Sequence, residues 1–164
     1  MFICPIGSIG WREGFVPEHM VSLQNPGVDT AELRPEWISP DNHYSAFFFD
    51  IEIAGMPSSP TLQKVRSLID WLTPRCGADS RFLIHCDMGR GRSAAAGYIA
   101  WAIHLGPGRE QEAFDLMVRS CVEKQILPNL LVVSLADEAL GRNGQMIAPL
   151  QAWNERVPWS RTHR

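Results

Sequence analysis

Apolar residues along this chain come first in short unbroken runs and later in helical stripes. Phe2-Ile3-Cys4-Pro5-Ile6 reads as a short strand, and Pro5 suits a sheet edge because it cannot donate to a ladder. Gly7, Gly10 and Gly14 make the next stretch a loop, with a helical turn expected over Val16 to Met20. Met20-Val21-Ser22-Leu23 is a second strand, closed by the turn signal Asn25-Pro26-Gly27. Positions 28 to 42 carry Pro35 and Pro40 and read as loop with room for one short helix. His43 to Ile51 holds the continuous apolar run Ala46-Phe47-Phe48-Phe49, the mark of a buried strand.

After residue 55 the period changes. Ser59 as N-cap and Pro60 at the first helical position open a helix whose Leu62, Val65, Leu68, Ile69 and Leu72 share one face. Pro74 ends it. Phe82-Leu83-Ile84-His85-Cys86 is a buried strand, Asp87 to Gly91 a glycine-punctuated loop, and 92 to 105 a helix. The small residues Ala94-Ala95-Ala96-Gly97 let that helix lie close to a sheet. Gly106-Pro107-Gly108 stops it. Glu110 to Val122 is amphipathic through Phe114, Met117, Val118 and Cys121. Pro128-Asn129 opens a last helix, Leu130 to Leu140, with Gly141 as its cap. From Arg142 onward periodicity fades, and Trp153 and Trp159 sit in an arm that is packed or partly disordered. These elements predict an α/β fold with a small central sheet flanked by helices, and the loop lies between the central strand and a helix. One domain over 1–141 and a C-terminal arm over 142–164 account for the whole.

The 164 residues suit one such domain, and 45% apolar with 20% charged residues is ordinary for a soluble globule. A net charge of −3 argues against a nucleic-acid or acidic-membrane partner. Cys4, Cys76, Cys86 and Cys121 show neither C-x-x-C pairing nor zinc spacing, so no metal is expected and a reducing compartment is. With no basic leader and no long apolar run, a cytoplasmic location follows. Oligomeric state is not legible.

Chemistry concentrates between residues 82 and 93. A loop entering a helix N-terminus presents unpaired backbone N–H groups and the positive end of the helix dipole, which together bind anions. The same field favours a nucleophilic thiolate at Cys86. Arg92 offers the planar fork that grips a phosphate, and the backbone of Asp87, Met88, Gly89, Arg90 and Gly91 would curl around it. The ordinary alternative, a buried structural thiol, does not account for the paired glycines, His85 before the cysteine and Ser93 after the arginine.

His85-Cys86-(five residues)-Arg92-Ser93 resembles the signature of the cysteine-dependent protein tyrosine phosphatase superfamily. The small chain is similar to its dual-specificity branch, in particular the short bacterial phosphatase-like proteins, over about Ala46 to Gly141. The resemblance implies that Cys86 attacks phosphorus to form a phosphocysteine while Arg92 and the loop N–H groups hold the oxygens. Ser93 would help the thiolate leave, His85 would orient the loop, and no cofactor is needed. A phosphate ester also needs its leaving oxygen protonated, and in the family an Asp from a separate earlier loop does this. Asp50, directly after Phe47-Phe48-Phe49, fits that place; Glu52 competes, Asp41 and Asp70 are less suited, and a simple turn-capping role is the plain alternative. Asn129 matches an Asn that braces the phosphate loop, although it also suits a helix N-cap.

The expected partner is a phosphorylated protein bearing phosphotyrosine, with phosphoserine and phosphothreonine open. Arg90 resembles the basic loop residue of lipid and inositol-phosphate phosphatases, whereas Asp87 opposes a highly phosphorylated ligand; Arg90 could equally face solvent or pair with Asp87. A rhodanese-like sulfurtransferase usually has a shorter loop, and a non-catalytic phosphate-binding module would not need Cys86. Low-pKa phosphatase cysteines oxidise readily, so Cys4 or Cys121 could serve as a resolving thiol or simply be buried bystanders.

Overall fold

The computed structural model describes residues 1–8 and 14–156, so Gly10 and Trp159 lie outside the described residues. Four strands, β1 (Phe2–Pro5), β2 (His19–Gln24), β3 (His43–Phe47) and β4 (Phe82–Cys86), form one sheet in the order β1-β4-β2-β3. Every pairing is parallel, with Pro5 opposite Cys86, Cys86 opposite Leu23 and Leu23 opposite Ala46. Four helices follow the pattern of the sequence, α1 (Leu62–Leu72), α2 (Arg92–Leu105), α3 (Glu110–Ser120) and α4 (Leu130–Ala139), and a further one, α5 (Ile147–Arg156), does not.

β4 lies in the middle of the sheet, and all five of its residues are buried, which is why it opens with the apolar run Phe82-Leu83-Ile84. Alternation then divides the side chains between two faces. Ile3, Val21, Leu23, Ala46, Ile84 and Cys86 belong to the large core that the helices cover; α1 contributes Val65, Leu68, Ile69 and Leu72. Burial of each such side chain is worth roughly 1.5–3 kcal/mol. The opposite face carries Phe2, Cys4, Met20 and Leu83, covered by Ile38 with Phe15 and Leu33 from irregular segments. Because all strands run the same way, their carboxyl ends share one edge. Asn25, Phe48 and Asp87, which follow β2, β3 and β4, therefore meet there, at the edge where open α/β sheets bind ligands.

Several expectations are corrected. Val16 to Met20 forms no helical turn, because residues from His19 onward are taken into a strand paired on both sides. β3 ends at Phe47 rather than Ile51; Phe49 N–H instead donates to Ser58 O at 2.8 Å, which starts a separate loop. The N-cap of α1 is Thr61, not Ser59, since Thr61 Oγ1 accepts from Lys64 N–H. α3 stops at Ser120, and Cys121 bridges to Ile3 of β1. Beyond Gly141 the expected irregular arm contains a packed helix. Asp137 accepts from the N–H groups of Gly144 and Met146 ahead of α5, and Arg142 forms a buried ion pair with Glu110 at 3.2 Å. Met146 and Leu150 are fully buried, and Trp153 Nε1 donates to Ile126 O at 3.0 Å. Pro149 sits in the first turn of α5, where its missing N–H costs nothing. Among the described residues no helix is long and apolar enough to cross a membrane.

Candidate active site

The loop between β4 and α2 is held by its own backbone. Asp87 O accepts from Ile6 N–H, Arg90 O from Leu127 N–H at 3.1 Å, and Gly91 O from Asn129 N–H at 3.2 Å. Gly89 has φ +67°, and a Cβ there would lie 2.5 Å from Pro5 N, so the close approach of the loop to β1 needs glycine. Cys86 ends the strand with 1% exposure, and its Sγ lies 3.1 Å from Ser93 Oγ in the first turn of α2. Arg92, the first residue of α2, is 3% exposed. Its Nη1 donates to Phe48 O at 2.8 Å and Asn25 Oδ1 at 2.9 Å, while Nη2 is 3.6 Å from Asp87 Oδ2. Its Nε is buried with no hydrogen-bond partner among the described residues. A buried N–H of a cation left open in this way carries a desolvation cost that a bound anion would relieve.

Asp50 arrives from the loop after β3. A methyl group at Gly91 would collide with Asp50 Oδ2, so this carboxylate lies directly over the end of the β4–α2 loop. Asn129 Nδ2 donates to Asp50 Oδ1 at 2.7 Å and to Ile51 O at 3.3 Å. The Asn129 side chain is also the cap of α4, since its Oδ1 accepts from Val132 N–H, and the residue meets the β4–α2 loop only through its backbone N–H, which donates to Gly91 O. Glu52, the competing acid, accepts from Leu130 N–H at 2.8 Å and caps the same helix. Asp41 lies in a short turn ahead of β3, and Asp70 lies within α1.

His85 points to the face opposite Cys86. Gln24 Nε2 donates to its Nδ1 at 3.2 Å, leaving Nε2–H to donate to Ser22 Oγ at 2.6 Å, and the Ser22 hydroxyl to donate to His43 Nε2 at 2.7 Å. Burial pushes the His85 pKa down to about 4, with the nearby His43 adding to the effect, so the ring is a neutral brace at ordinary pH.

Arg90 and Asp87 do not pair with one another in the way weighed above. Arg90 Nη2 meets Glu123 at 3.4 Å, and Asp87 instead meets Arg92 and accepts from Asn25 Nδ2 at 3.1 Å. Met88, between them, is 60% exposed. Sequence reasoning missed Asn25, Ser22, Gln24 and Glu123. Neither extra cysteine is placed to bridge Cys86. Cys4 points from the other face of the sheet, and a disulfide needs Cβ vectors that converge. Cys121 flanks β1 on the side away from β4, so at ~4.8 Å per strand its backbone is about 10 Å or more from that of Cys86. Burial, with the Cys86 charge adding to it, pushes both thiols up to about 12, away from the thiolate that exchange requires.

No family model matches the chain, and no curated protein matches it. Solved structures do. Human DUSP28 superposes with a TM-score of 0.61 at 18% identity, covering 93% of this chain and 94% of that one. A mouse "putative dual specificity phosphatase" solved with zinc tungstate gives 0.54 at 19% identity, covering 88% and 84%. A single-substitution form of human DUSP28 gives 0.50 at 18% identity, covering 83% and 80%. With the parallel sheet and the β4–loop–α2 passage, these likenesses show that the chain has the fold of the dual-specificity phosphatases.

Proposed function

We propose that this chain is a cysteine-dependent phosphomonoester hydrolase acting on phosphorylated proteins. One observation carries the reading: a carboxylate from a separate loop, Asp50, is held over the loop that joins Cys86 to Arg92. Cys86 Sγ attacks phosphorus and forms the S–P bond as the P–O ester bond breaks, and Asp50 delivers its proton to the departing oxygen. Arg92, through Nε and Nη2, and the loop N–H groups hold the equatorial oxygens as charge grows on them. Asp50, now ionised, takes a proton from water, whose oxygen attacks phosphorus and releases inorganic phosphate. The Ser93 hydroxyl, 3.1 Å from Sγ, donates to the leaving thiolate. No metal or cofactor enters this scheme. The mouse neighbour's zinc tungstate contains a tetrahedral oxyanion, which is in keeping with an anion-binding loop of this kind.

The test compares wild type and Cys86→Ser on phosphotyrosine, phosphoserine and phosphoinositide substrates. Turnover by wild type that Cys86→Ser abolishes, with phosphopeptide binding kept, is the expected result. Binding without turnover in wild type would make this a phosphate-binding module. Thiosulfate-to-cyanide transfer would make it a sulfurtransferase.

A further inference from the structure

Asp87 follows the nucleophile directly, and its carboxylate is the acidic group nearest the clamp. Its Oδ2 lies 3.6 Å from Arg92 Nη2 and accepts from Asn25 Nδ2 at 3.1 Å, while Asn25 Oδ1 accepts from Arg92 Nη1 at 2.9 Å. The three side chains form a closed triangle. Asp87 is therefore fixed beside the guanidinium, although 46% of its side chain remains exposed to an incoming ligand. The loop's other cation does not offset it, because Arg90 is matched by Glu123 at 3.4 Å. Any ester whose phosphoryl group reaches Sγ must bring its nearest substituents past a fixed negative charge. A repulsive element of this sort discriminates between ligands more sharply than an added attraction. A unit charge at about 8 Å from another, with partial screening, changes affinity by about fivefold, and a second phosphate by the square of that.

We propose that Asp87, held in place by Asn25, is a specificity-determining residue that confines the site to singly phosphorylated peptides with neutral or basic neighbours. This rests on the phosphatase reading above. It decides the question raised by Arg90 against polyphosphorylated inositols, since that arginine is already paired with an acid.

The test uses three matched phosphotyrosine peptides whose adjacent residues are lysine, glutamine or phosphothreonine. Values of kcat/KM are compared for wild type, Asp87→Asn and Asp87→Glu. Wild type should favour the lysine peptide over the doubly phosphorylated one by about tenfold or more at low salt. Asp87→Asn should shrink that ratio by about tenfold or more, since it removes the whole of the charge responsible, and Asp87→Glu should keep most of it. An equal ratio in wild type and Asp87→Asn would overturn the proposal, as would wild type cleaving the doubly phosphorylated peptide or an inositol polyphosphate as fast as the lysine peptide. Should Asp87→Asn not fold, the wild-type ratio must fall as salt rises from about 50 to about 500 mM; a constant ratio overturns the idea. Absence of turnover on all three peptides would sink the phosphatase reading alone. Calorimetric binding of the same peptides would still report the order expected from Asp87.

Discussion

Asp50 occupies the space that a side chain on residue 91 would take: a methyl group there would collide with Oδ2 and lie 2.8 Å from both Cγ and Oδ1. Gly91 has φ −97°, a value open to any residue, so glycine is required here by the neighbouring carboxylate and not by the backbone. Gly91→Ala should push Asp50 off its contact with Asn129 and leave the phosphate clamp in place. Turnover of an alkyl phosphate, whose leaving oxygen needs a proton, should fall by about 10²-fold, the lower range for a general acid. An aryl phosphate with an acidic phenol should lose far less. Asp50→Asn should show the same dependence on leaving group. Equal losses on both substrates in both variants would remove Asp50 from the acid role.

On the proposed mechanism, the Cys86–Ser93 contact separates two steps. Ser93→Ala should leave phosphorylation of the thiolate nearly intact and slow its release from phosphorus, because the hydroxyl stabilises the departing sulfur. Rapid mixing with an aryl phosphate should then show a burst of phenol equal to enzyme concentration, the fingerprint of an accumulating covalent intermediate. A steady rate with no burst, and a loss shared by both steps, would make the hydroxyl a packing group only.

The parts legible in the sequence were those with local causes. β4 announces itself by an apolar run bounded by glycines, α2 by small residues that let it approach the sheet, and Asp50 by its place after three phenylalanines. Long-range causes were invisible. Asn25 sits in an Asn-Pro-Gly turn that explains it completely without Arg92, 67 positions away in the chain. α5 is anchored by Asp137 and Glu110 from other helices, so no periodicity within residues 142–156 reveals it. Ser59-Pro60 reads locally as the start of α1, yet Thr61 is the cap, because its side chain is the one that meets Lys64 N–H. Arg90 was visible as a cation, but its partner Glu123 comes from the segment after α3.

Whereas Gly91 answers only to a neighbouring side chain, Gly89 is a glycine both for its backbone conformation and for its fixed neighbours. Its φ of +67° is left-handed, and a Cβ would meet Pro5 N at 2.5 Å and Cys4 C at 2.6 Å, atoms of a paired strand that cannot step aside. Gly89→Ala should cost about 2–5 kcal/mol, the sum of left-handed strain and overpacking. Urea unfolding should show a lower midpoint at an unchanged slope, with activity lost in step. Gly7→Ala, where nothing lies within 4 Å of the added methyl, is the control and should sit within about 0.5 kcal/mol of wild type. A Gly89→Ala protein as stable as that control would mean the loop is not pressed against β1.

His85 makes stability depend on acidity with a definite sign. Burial and the neighbouring His43 hold its pKa at about 4 in the folded protein, against about 6.5 in the unfolded chain. Above 6.5 both states carry a neutral ring and the full stabilisation is present. As pH falls below 6.5 the unfolded chain binds a proton that the native state refuses until about 4, so stability drops across that window. One such histidine is worth up to about 3 kcal/mol between the two limits. His43, lowered by its own burial and by Arg34, adds a loss of the same sign. Measured unfolding free energies should therefore decline from pH 7 to pH 4.5, and His85→Gln should flatten the decline even though it lowers stability at neutral pH. If the wild-type and His85→Gln curves run parallel through that interval, His85 is protonated in the native state, and the chain of hydrogen bonds from Gln24 through Ser22 to His43 cannot have the directions its geometry implies.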